Sequence, residues 1–325
     1  MDNLPRCFRA FLATALALVC YEIAHAQEAP RFVAATRGTN QEIRLQVAVD
    51  TGKQFRLETS ASLPTWQSLA TIKSTGTNAF TDYGAAYAGS RFYRAAELTA
   101  VAPLTGDHLA TSDGDVVIHP VNHASFVLQW NDVWIYNDPV GGASLYAAWP
   151  RASLILVSHS HSDHFDTATL TALRSTNTIL IAPAPVYVSL PTALKSQTIS
   201  LANGMTTNVA GIRIEAIPAY NSNHPKGTGN GYVITIGNRR LFMTGDTGNI
   251  PEMRALTDID VAFVCINVPF TMSIAEAVTA VRAFKPRVVY PYHYRNQDNS
   301  LSNLETFRQQ VGFDLPIEVR ARKWY

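Results

Sequence analysis

The sequence predicts a small all-β domain followed by a larger α/β domain, and three observations support this prediction. Short alternating apolar stretches separated by turn residues fill residues 27–99. From residue 110 to residue 325, strand-like and helix-like segments alternate, as expected where helices cover β-sheets. A cluster of histidines and aspartates directly follows one apolar strand of this second part, which indicates a metal site.

The composition describes an ordinary globular protein. The 325 residues include 26 Lys and Arg against 25 Asp and Glu, a net charge of +1. This balance gives no reason to expect nucleic acid or an anionic membrane as a partner.

The first 26 residues resemble an export signal. Arg6 and Arg9 precede a short apolar stretch, Ala10–Cys20, and Ala24-His25-Ala26 offers a cleavage site. We therefore predict a signal peptide over residues 1–26 and a periplasmic or secreted protein. The apolar stretch is well short of the roughly 20 residues that span a bilayer, so no integral membrane segment is expected after cleavage. Cys265 would then be the only cysteine, and its apolar surroundings favour a buried structural thiol.

Residues 27–99 carry no cluster of chemically reactive side chains. Alternating stretches such as Ile43–Val49 and Gln54–Glu58 predict a β-sandwich that packs against or tethers the main domain. The alternative is surface or glycan contact through exposed aromatic residues. Residues 100–109 are expected to be a linker.

The elements of the second domain follow in a regular order. Strands are predicted at Val116–Ile118, Ser125–Trp130, Val133–Tyr136, Leu154–Val157, Thr178–Ile181, Ile212–Ile217, Tyr232–Ile236, Leu241–Thr244, Val261–Ile266 and Val288–Tyr290. Helices are predicted at Thr167–Arg174 and Val186–Lys195, and from the capping-box spacing of Ser273 and Glu276 to Phe284.

The segment after the strand Leu154–Val157 carries the chemistry. It reads His159-Ser160-His161-Ser162-Asp163-His164, and so many imidazoles and carboxylates would each need a partner in a packed core. On a loop, His159 and His161 can face one cation while Asp163 and His164 face a second. A solvated polar loop is the alternative interpretation.

Two further groups stand at strand ends. Asp246, in Gly245-Asp246-Thr247-Gly248, offers two carboxylate oxygens that could serve one cation each. His293 follows the strand Val288–Tyr290 within Pro291-Tyr292-His293-Tyr294. Either group alone would be weak evidence, but the histidine cluster makes both candidate ligands.

The segments HSHSDHFD, GDTG, FTM and PYHY, in this order, resemble the metallo-β-lactamase superfamily over roughly residues 110–325. Within it, they are most similar to the branch of ascorbate-6-phosphate lactonase-like proteins and N-acylphosphatidylethanolamine-hydrolysing phospholipase D. The resemblance implies a four-layer αββα sandwich with two metals at one edge. It assigns His159 and His161 to the first metal; Asp163, His164 and His293 to the second; Asp246 as a bridge; Asp138 as a hydrogen-bond partner of the histidine loop; and His123 as a neighbour.

The chain departs from the family at one ligand. The usual third histidine of the first site follows Pro-Ala, but here Pro218-Ala219 precedes Tyr220 and Asn221. His224 could enter from the loop instead, and we favour it over Asn221, whose neutral amide oxygen suits zinc poorly. A site with only two histidines is the remaining alternative.

The resemblance implies hydrolysis of an ester, lactone, amide or phosphodiester by a metal-bound hydroxide, with Asp163 and Asp246 as catalytic residues. Two Zn²⁺ ions are expected, although Mn²⁺ or iron would accept the same ligands. Tyr292, Tyr294 and Arg295 are candidates for substrate contact, or for packing at the strand end. The alternatives are a mononuclear, redox-active iron enzyme of the same fold and an exported binding protein without catalysis.

Overall fold

The structure is a computed structural model that describes residues 8–10, 30–38, 43–60, 63, 66–74, 76–82, 85, 90–99, 107–312, 314–322 and 324. The chain divides into two compact units, Met1–Ala110 and Thr111–Tyr325. Most of the predicted signal peptide and linker lie outside the described residues, and both stay predictions.

The first unit is built from strands. They are β1 (Phe8–Ala10), β2 (Arg31–Arg37), β3 (Ile43–Val49), β4 (Gln54–Ser60), β5 (Gln67–Lys73), β6 (Gly76–Asp82) and β7 (Arg91–Glu97). Four of them form a sheet in the order β1-β7-β4-β5, and three form a sheet in the order β2-β3-β6. Alternate residues of β3 are buried, so Leu45 and Val47 share a core with Phe55, Leu57 and Tyr93.

The surface of the first unit gives no support to glycan contact. Among its described residues, the large exposed apolar side chains are Val33 and Leu63, and neither is aromatic. The ring of Trp66 lies 4.4 Å below the guanidinium of Arg94.

The second unit contains two seven-stranded sheets. The first has the order β14-β13-β12-β11-β10-β9-β8. Its strands are β8 (Asp107–Thr111), β9 (Gly114–Asn122), β10 (Ser125–Trp130), β11 (Val133–Asn137), β12 (Ala152–Leu156), β13 (Arg174–Ala182) and β14 (Thr198–Ser200). The second sheet runs in chain order from β15 to β21. Its strands are β15 (Thr206–Val209), β16 (Ile212–Ala219), β17 (Gly229–Ile236), β18 (Arg239–Met243), β19 (Val261–Cys265), β20 (Val288–Tyr292) and β21 (Glu318–Val319).

The helices are α1 (Thr167–Leu173), α2 (Ala184–Ser189), α3 (Thr192–Lys195), α4 (Pro251–Arg254), α5 (Ile274–Phe284) and α6 (Leu304–Val311). The predicted capping box is confirmed, because Ser273 Oγ accepts from Glu276 N and Glu276 Oε2 accepts from Ser273 N. The single helix predicted over Val186–Lys195 is wrong. Leu190 ends α2 in an extended conformation before Pro191, because a residue that precedes proline avoids the helical region.

The layers of the second unit stack in the predicted αββα order. Leu170 of α1 and Val186 of α2 share a core with Ile155 of the first sheet. The two sheets meet where the rings of Phe126 and Phe263 stack with centroids 4.2 Å apart. On the far side, Phe284 of α5 packs on Phe242, with centroids 5.9 Å apart. The predicted four-layer αββα sandwich is confirmed, and a β-rich unit precedes it along the chain.

The strand order decides where functional side chains gather. Strands β11 to β14 are parallel in the first sheet, as are β18 to β21 in the second. Loops that follow parallel strands emerge at one edge, which is where ligands bind in open α/β sheets.

In the described part of the chain, no helix has the length and apolarity needed to cross a membrane. Cys265 is buried with a free thiol, whose pKa burial raises.

Candidate metal centre

A buried carboxylate holds the start of the histidine loop. Asp138 follows β11 and is fully buried. Its Oδ1 accepts a hydrogen bond from Ser158 N at 2.7 Å, and its Oδ2 accepts from Ser158 Oγ at 2.7 Å. The loop therefore leaves β12 along one path, with His159 as its next residue.

A turn and a helix cap hold the end of this loop. His161 O accepts from the backbone N–H of His164 at 3.0 Å and of Phe165 at 2.8 Å. Asp166 then caps α1 by accepting from Ala168 N at 3.0 Å. With both ends fixed, the side chains between them are placed by the backbone.

Three imidazoles form a first group, in which one ring nitrogen of each residue lies near a ring nitrogen of the other two. His159, His161 and His224 have ligand atoms within 4.8 Å of one another. His224 Nε2 lies 3.2 Å from His161 Nδ1. The ring of His159 lies 4.9 Å from that of His224, centroid to centroid.

The loop that carries His224 is tied to α4. Tyr220 Oη donates to Glu252 Oε2 at 3.0 Å, and Lys226 Nζ donates to Glu252 Oε1 at 2.5 Å. Between these two contacts the chain turns, and His224 is 4% exposed. Of the two candidates for the third first-site ligand, His224 reaches the cluster.

Asp163, His164 and His293 form a second group. The Nε2 atoms of His164 and His293 are 3.0 Å apart. Asp163 Oδ2 lies 3.4 Å from His293 Nε2 and 3.6 Å from His164 Nε2. His164 Nδ1 lies 2.8 Å from Asp138 Oδ2, which leaves its Nε2 directed at the group.

Asp246 lies between the two groups. Its Oδ2 is 3.6 Å from His224 Nε2 and 3.9 Å from His159 Nε2. Its Oδ1 is 3.2 Å from His164 Nε2 and 3.4 Å from His293 Nε2. One carboxylate thus presents a separate oxygen to each group of ligand atoms.

The turn that delivers Asp246 requires glycine. Gly245 has a φ of +59°, and a Cβ there would lie 2.8 Å from Asn230 O. A side chain would meet both a strained backbone conformation and a clash with backbone that cannot move cheaply. Tyr292 Oη also accepts a hydrogen bond from Gly245 N at 3.1 Å and supports this turn from behind.

Burial and charge set the protonation of the centre. Burial lowers the pKa of His159 well below its ordinary value, which favours the neutral ring that binds metals. Burial acts to raise the pKa of Asp246, but the imidazoles of His293 and His164 outweigh it and hold that pKa below the usual range. Burial acts to lower the pKa of His164, yet the carboxylates of Asp246 and Asp138 raise it well above its ordinary value.

His123 borders the second group. Its Nε2 lies 3.1 Å from Asp163 Oδ2, and its ring lies 3.8 Å from that of His293, centroid to centroid. Burial lowers the pKa of His123, and the hydrogen bond to Asp163 opposes that change.

Two residues with a suggested substrate role are buried. Tyr292 is 0% exposed and Tyr294 is 5% exposed. Trp324 N donates to Tyr294 Oη at 3.1 Å. Burial favours the alternative given for both tyrosines, which is packing at the strand end, and substrate contact stays a prediction.

Sequence reasoning missed two residues. Ser158 stands beside the histidines, and Asn267 follows the buried strand β19. Asn267 Nδ2 lies 2.9 Å from His293 Nδ1 and donates to Arg295 O at 2.6 Å. Their place in the sequence could have identified them, since both are polar residues at the carboxyl ends of buried strands.

The donor set fits divalent cations. Ligands at about 2.0–2.1 Å around a tetrahedral zinc lie roughly 3.3 Å apart, and the ligand-atom separations given above run from 3.0 to 3.9 Å. His159 Nε2 is buried and has no hydrogen-bond partner, although it faces the cluster. Pairs of ring nitrogens facing each other at 3.0 and 3.2 Å would share a cation readily.

Comparisons with known proteins identify the family and the fold of the chain. The family profile described as the beta-lactamase superfamily domain matches residues 117–293. A metal-dependent hydrolase of Thermococcus kodakarensis is 31% identical over 204 residues, which are 59% of this chain and 90% of the relative. The crystal structure of a protein described as a metal-dependent hydrolase from Parabacteroides distasonis is 33% identical, with a TM-score of 0.61, over 68% of this chain and 99% of the other. A metallo hydrolase from the archaeon Ignicoccus hospitalis is 26% identical, with a TM-score of 0.57, over 64% and 95%.

Proposed function

The chain belongs to the metallo-β-lactamase superfamily and is a metal-dependent hydrolase, and from that premise we propose that it hydrolyses a small-molecule substrate at a two-metal centre bridged by Asp246. The observation that carries the proposal is the position of this carboxylate. Its two oxygens face different groups, with His224 Nε2 3.6 Å from Oδ2 and His164 Nε2 3.2 Å from Oδ1.

Each group would hold one cation. The first cation would be held by His159, His161 and His224, and the second by Asp163, His164 and His293. Imidazole and carboxylate ligands suit Zn²⁺, with Mn²⁺ and iron as alternatives that accept the same atoms. Bound there, such cations supply Lewis acidity that lowers the pKa of a water ligand to near 7 and polarises the scissile bond.

Asp163 is the group of the chain best placed to handle a proton. Its side chain is 43% exposed, whereas that of Asp246 is 3% exposed. Burial acts to raise the pKa of Asp163, but hydrogen bonds from His123 and His293 outweigh it and keep that pKa below the usual range. The carboxylate is therefore ionised at neutral pH and can accept a hydrogen bond from the attacking water, which orients the proton of that water.

A mononuclear centre has less support than a dinuclear one. A mononuclear centre was considered because Tyr220 and Asn221 stand where a third histidine ligand of the first cation was expected. His224 supplies an imidazole from three residues beyond Asn221, so three rings converge in the first group.

The proposals of export and of a substrate class are supported by the sequence. The signal-like residues 1–26 support export to the periplasm or secretion. The segments HSHSDHFD, GDTG, FTM and PYHY support the lactonase-like and phospholipase D-like branch, and with it an ester, lactone, amide or phosphodiester substrate.

A chromogenic panel tests the proposal. The metal-free protein would be loaded in turn with zinc, manganese and ferrous iron, then offered aryl esters, lactones, anilides and bis-aryl phosphodiesters. We expect hydrolysis of at least one class, loss of turnover with a chelator, and recovery when the metal is restored. Absence of turnover on every class by protein loaded with two equivalents would contradict the proposal.

A further inference from the structure

Asn221 uses its carbonyl oxygen to organise the turn that carries His224. Asn221 Oδ1 lies 2.8 Å from the backbone N–H of Asn223 and 3.1 Å from that of His224. The same oxygen lies 2.9 Å from His224 Nδ1. An amide oxygen only accepts, so Nδ1 carries the ring proton and Nε2 keeps its lone pair for the cluster.

The amide nitrogen of Asn221 is anchored elsewhere. Asn221 Nδ2 donates to Phe270 O at 2.9 Å, and Asn223 Nδ2 donates to Pro269 O at 2.9 Å. Residues 267–271 are closed into a compact loop, because Asn267 N donates to Thr271 Oγ1 at 2.9 Å and Thr271 N donates to Asn267 O. This anchor loop includes two residues of the FTM segment, to which the catalytic proposal gives no task.

The opposite side of the anchor loop is joined to the His293 segment. Val268 N donates to Asn296 Oδ1 at 3.0 Å, and Gln297 N donates to Val268 O at 3.2 Å. The loop thus connects the two chain segments that deliver His224 and His293, one to each group.

Resting on the proposed two-metal function, we infer that Asn221 is the positioning residue that makes the displaced His224 a ligand of the first cation. The amide meets both demands here: its oxygen accepts from the ring of His224, and its nitrogen donates to Phe270 O. An aspartate at this position would keep the first contact and lose the second. An alanine would lose both and free the ring to rotate away from His159 and His161.

Metal titration of matched variants separates these contacts. The purified full chain, stripped of metal, would be titrated with Zn²⁺ against a competing chelator, and with Co²⁺ to follow the visible spectrum of each step. The variants are Asn221→Ala, Asn221→Asp and, as the control, Asn223→Ala, which removes a parallel anchor-loop contact without touching the ring.

For Asn221→Ala we expect affinity for one cation to fall about 10–100-fold, as for other residues that orient a metal ligand. Retention of the other cation shows that this variant folds. Asn221→Asp should recover most of the affinity and a parent-like Co²⁺ spectrum, and Asn223→Ala should stay close to the parent.

Two results would overturn the inference alone: both cations bound by Asn221→Ala with parental affinity, or an equal loss in Asn223→Ala. A parent that binds a single cation, unaffected by His224→Ala, would instead overturn the two-metal proposal and this inference with it.

Discussion

Asp138 and His164 form a fully buried pair in which carboxylate Oδ2 lies 2.8 Å from imidazole Nδ1. The same carboxylate accepts two hydrogen bonds from Ser158, so it joins the end of β11 to the histidine loop. The orientation leaves His164 Nε2 3.2 Å from Asp246 Oδ1. Asp138 therefore sets the geometry of the second group from outside it.

Replacing Asp138 by asparagine should weaken the binding of the second cation without unfolding the chain. The amide keeps the size of the side chain but lacks the negative charge that raises the basicity of His164. We expect a loss of about 10–100-fold in affinity for one cation, measured by chelator competition.

Asp166→Asn is the matched control, because asparagine also caps a helix and Asp166 contacts α1 rather than a histidine. Equal affinities for the parent and Asp138→Asn would refute this role of Asp138.

Metal affinity should rise with pH. The carboxylates around His164 raise its pKa well above 6.5, so this ring holds a proton in the metal-free protein at neutral pH. A cation must displace that proton, and each displaced proton changes the apparent affinity about tenfold per pH unit.

Calorimetric titration in buffers of different ionisation enthalpy at pH 6.5–7.5 would count the protons released, and we expect at least about one. An affinity independent of pH across this window would show that His164 is neutral before binding.

Gly245→Ala should destabilise the protein and disturb Asp246. The substitution meets a φ of +59° and an oxygen 2.8 Å from the new Cβ. We expect a loss of more than about 1 kcal/mol in the free energy of unfolding, read from urea denaturation, together with reduced metal content.

Gly204→Ala separates strain from clash, since Gly204 has a φ of +79° with no atom within 4 Å of a Cβ. If both variants lost the same stability and both kept full metal content, close packing at Gly245 would have no role.

His123 should act through a hydrogen bond to Asp163. His123→Gln can still donate toward Asp163, whereas His123→Leu cannot, and both variants share the cost of the φ of 54° at this position. A hydrogen bond to a charged group contributes about 1.5–3 kcal/mol, so we expect kcat/KM for the leucine variant to be about tenfold or more below that of the glutamine variant. Equal kcat/KM values for the two variants on any hydrolysed substrate of the chromogenic panel would exclude this role.

Much of the second unit could be predicted from sequence, because its strands carry strong apolar patterns. The strand predicted at Ser125–Trp130 has those bounds, and the one predicted at Leu154–Val157 is observed at Ala152–Leu156. The failure at Pro191 arose because the apolar pattern was continued through a proline, although the residue before a proline avoids the helical region.

The residues of the candidate site that directly follow strands were predictable. A residue whose position depends on the conformation of a loop was not. His159 to His164 and His293 follow from strand ends. The choice between Asn221 and His224 depends on a turn stabilised by contacts with residues 267–271, which lie more than 40 positions away. Substrate contact and packing were both open for Tyr292 and Tyr294, because the strand was predicted to end at Tyr290 and instead runs to Tyr292.

The metal content of the purified protein distinguishes a two-metal centre from a one-metal centre. Mass spectrometry would be applied to the parent, to His224→Ala, and to His108→Ala as a control outside both ligand groups, since Nε2 of His108 lies 3.0 Å from Thr71 Oγ1. The two-metal account predicts two equivalents in the parent and in His108→Ala, and one in His224→Ala. One equivalent or none in the parent, or two in His224→Ala, would contradict it.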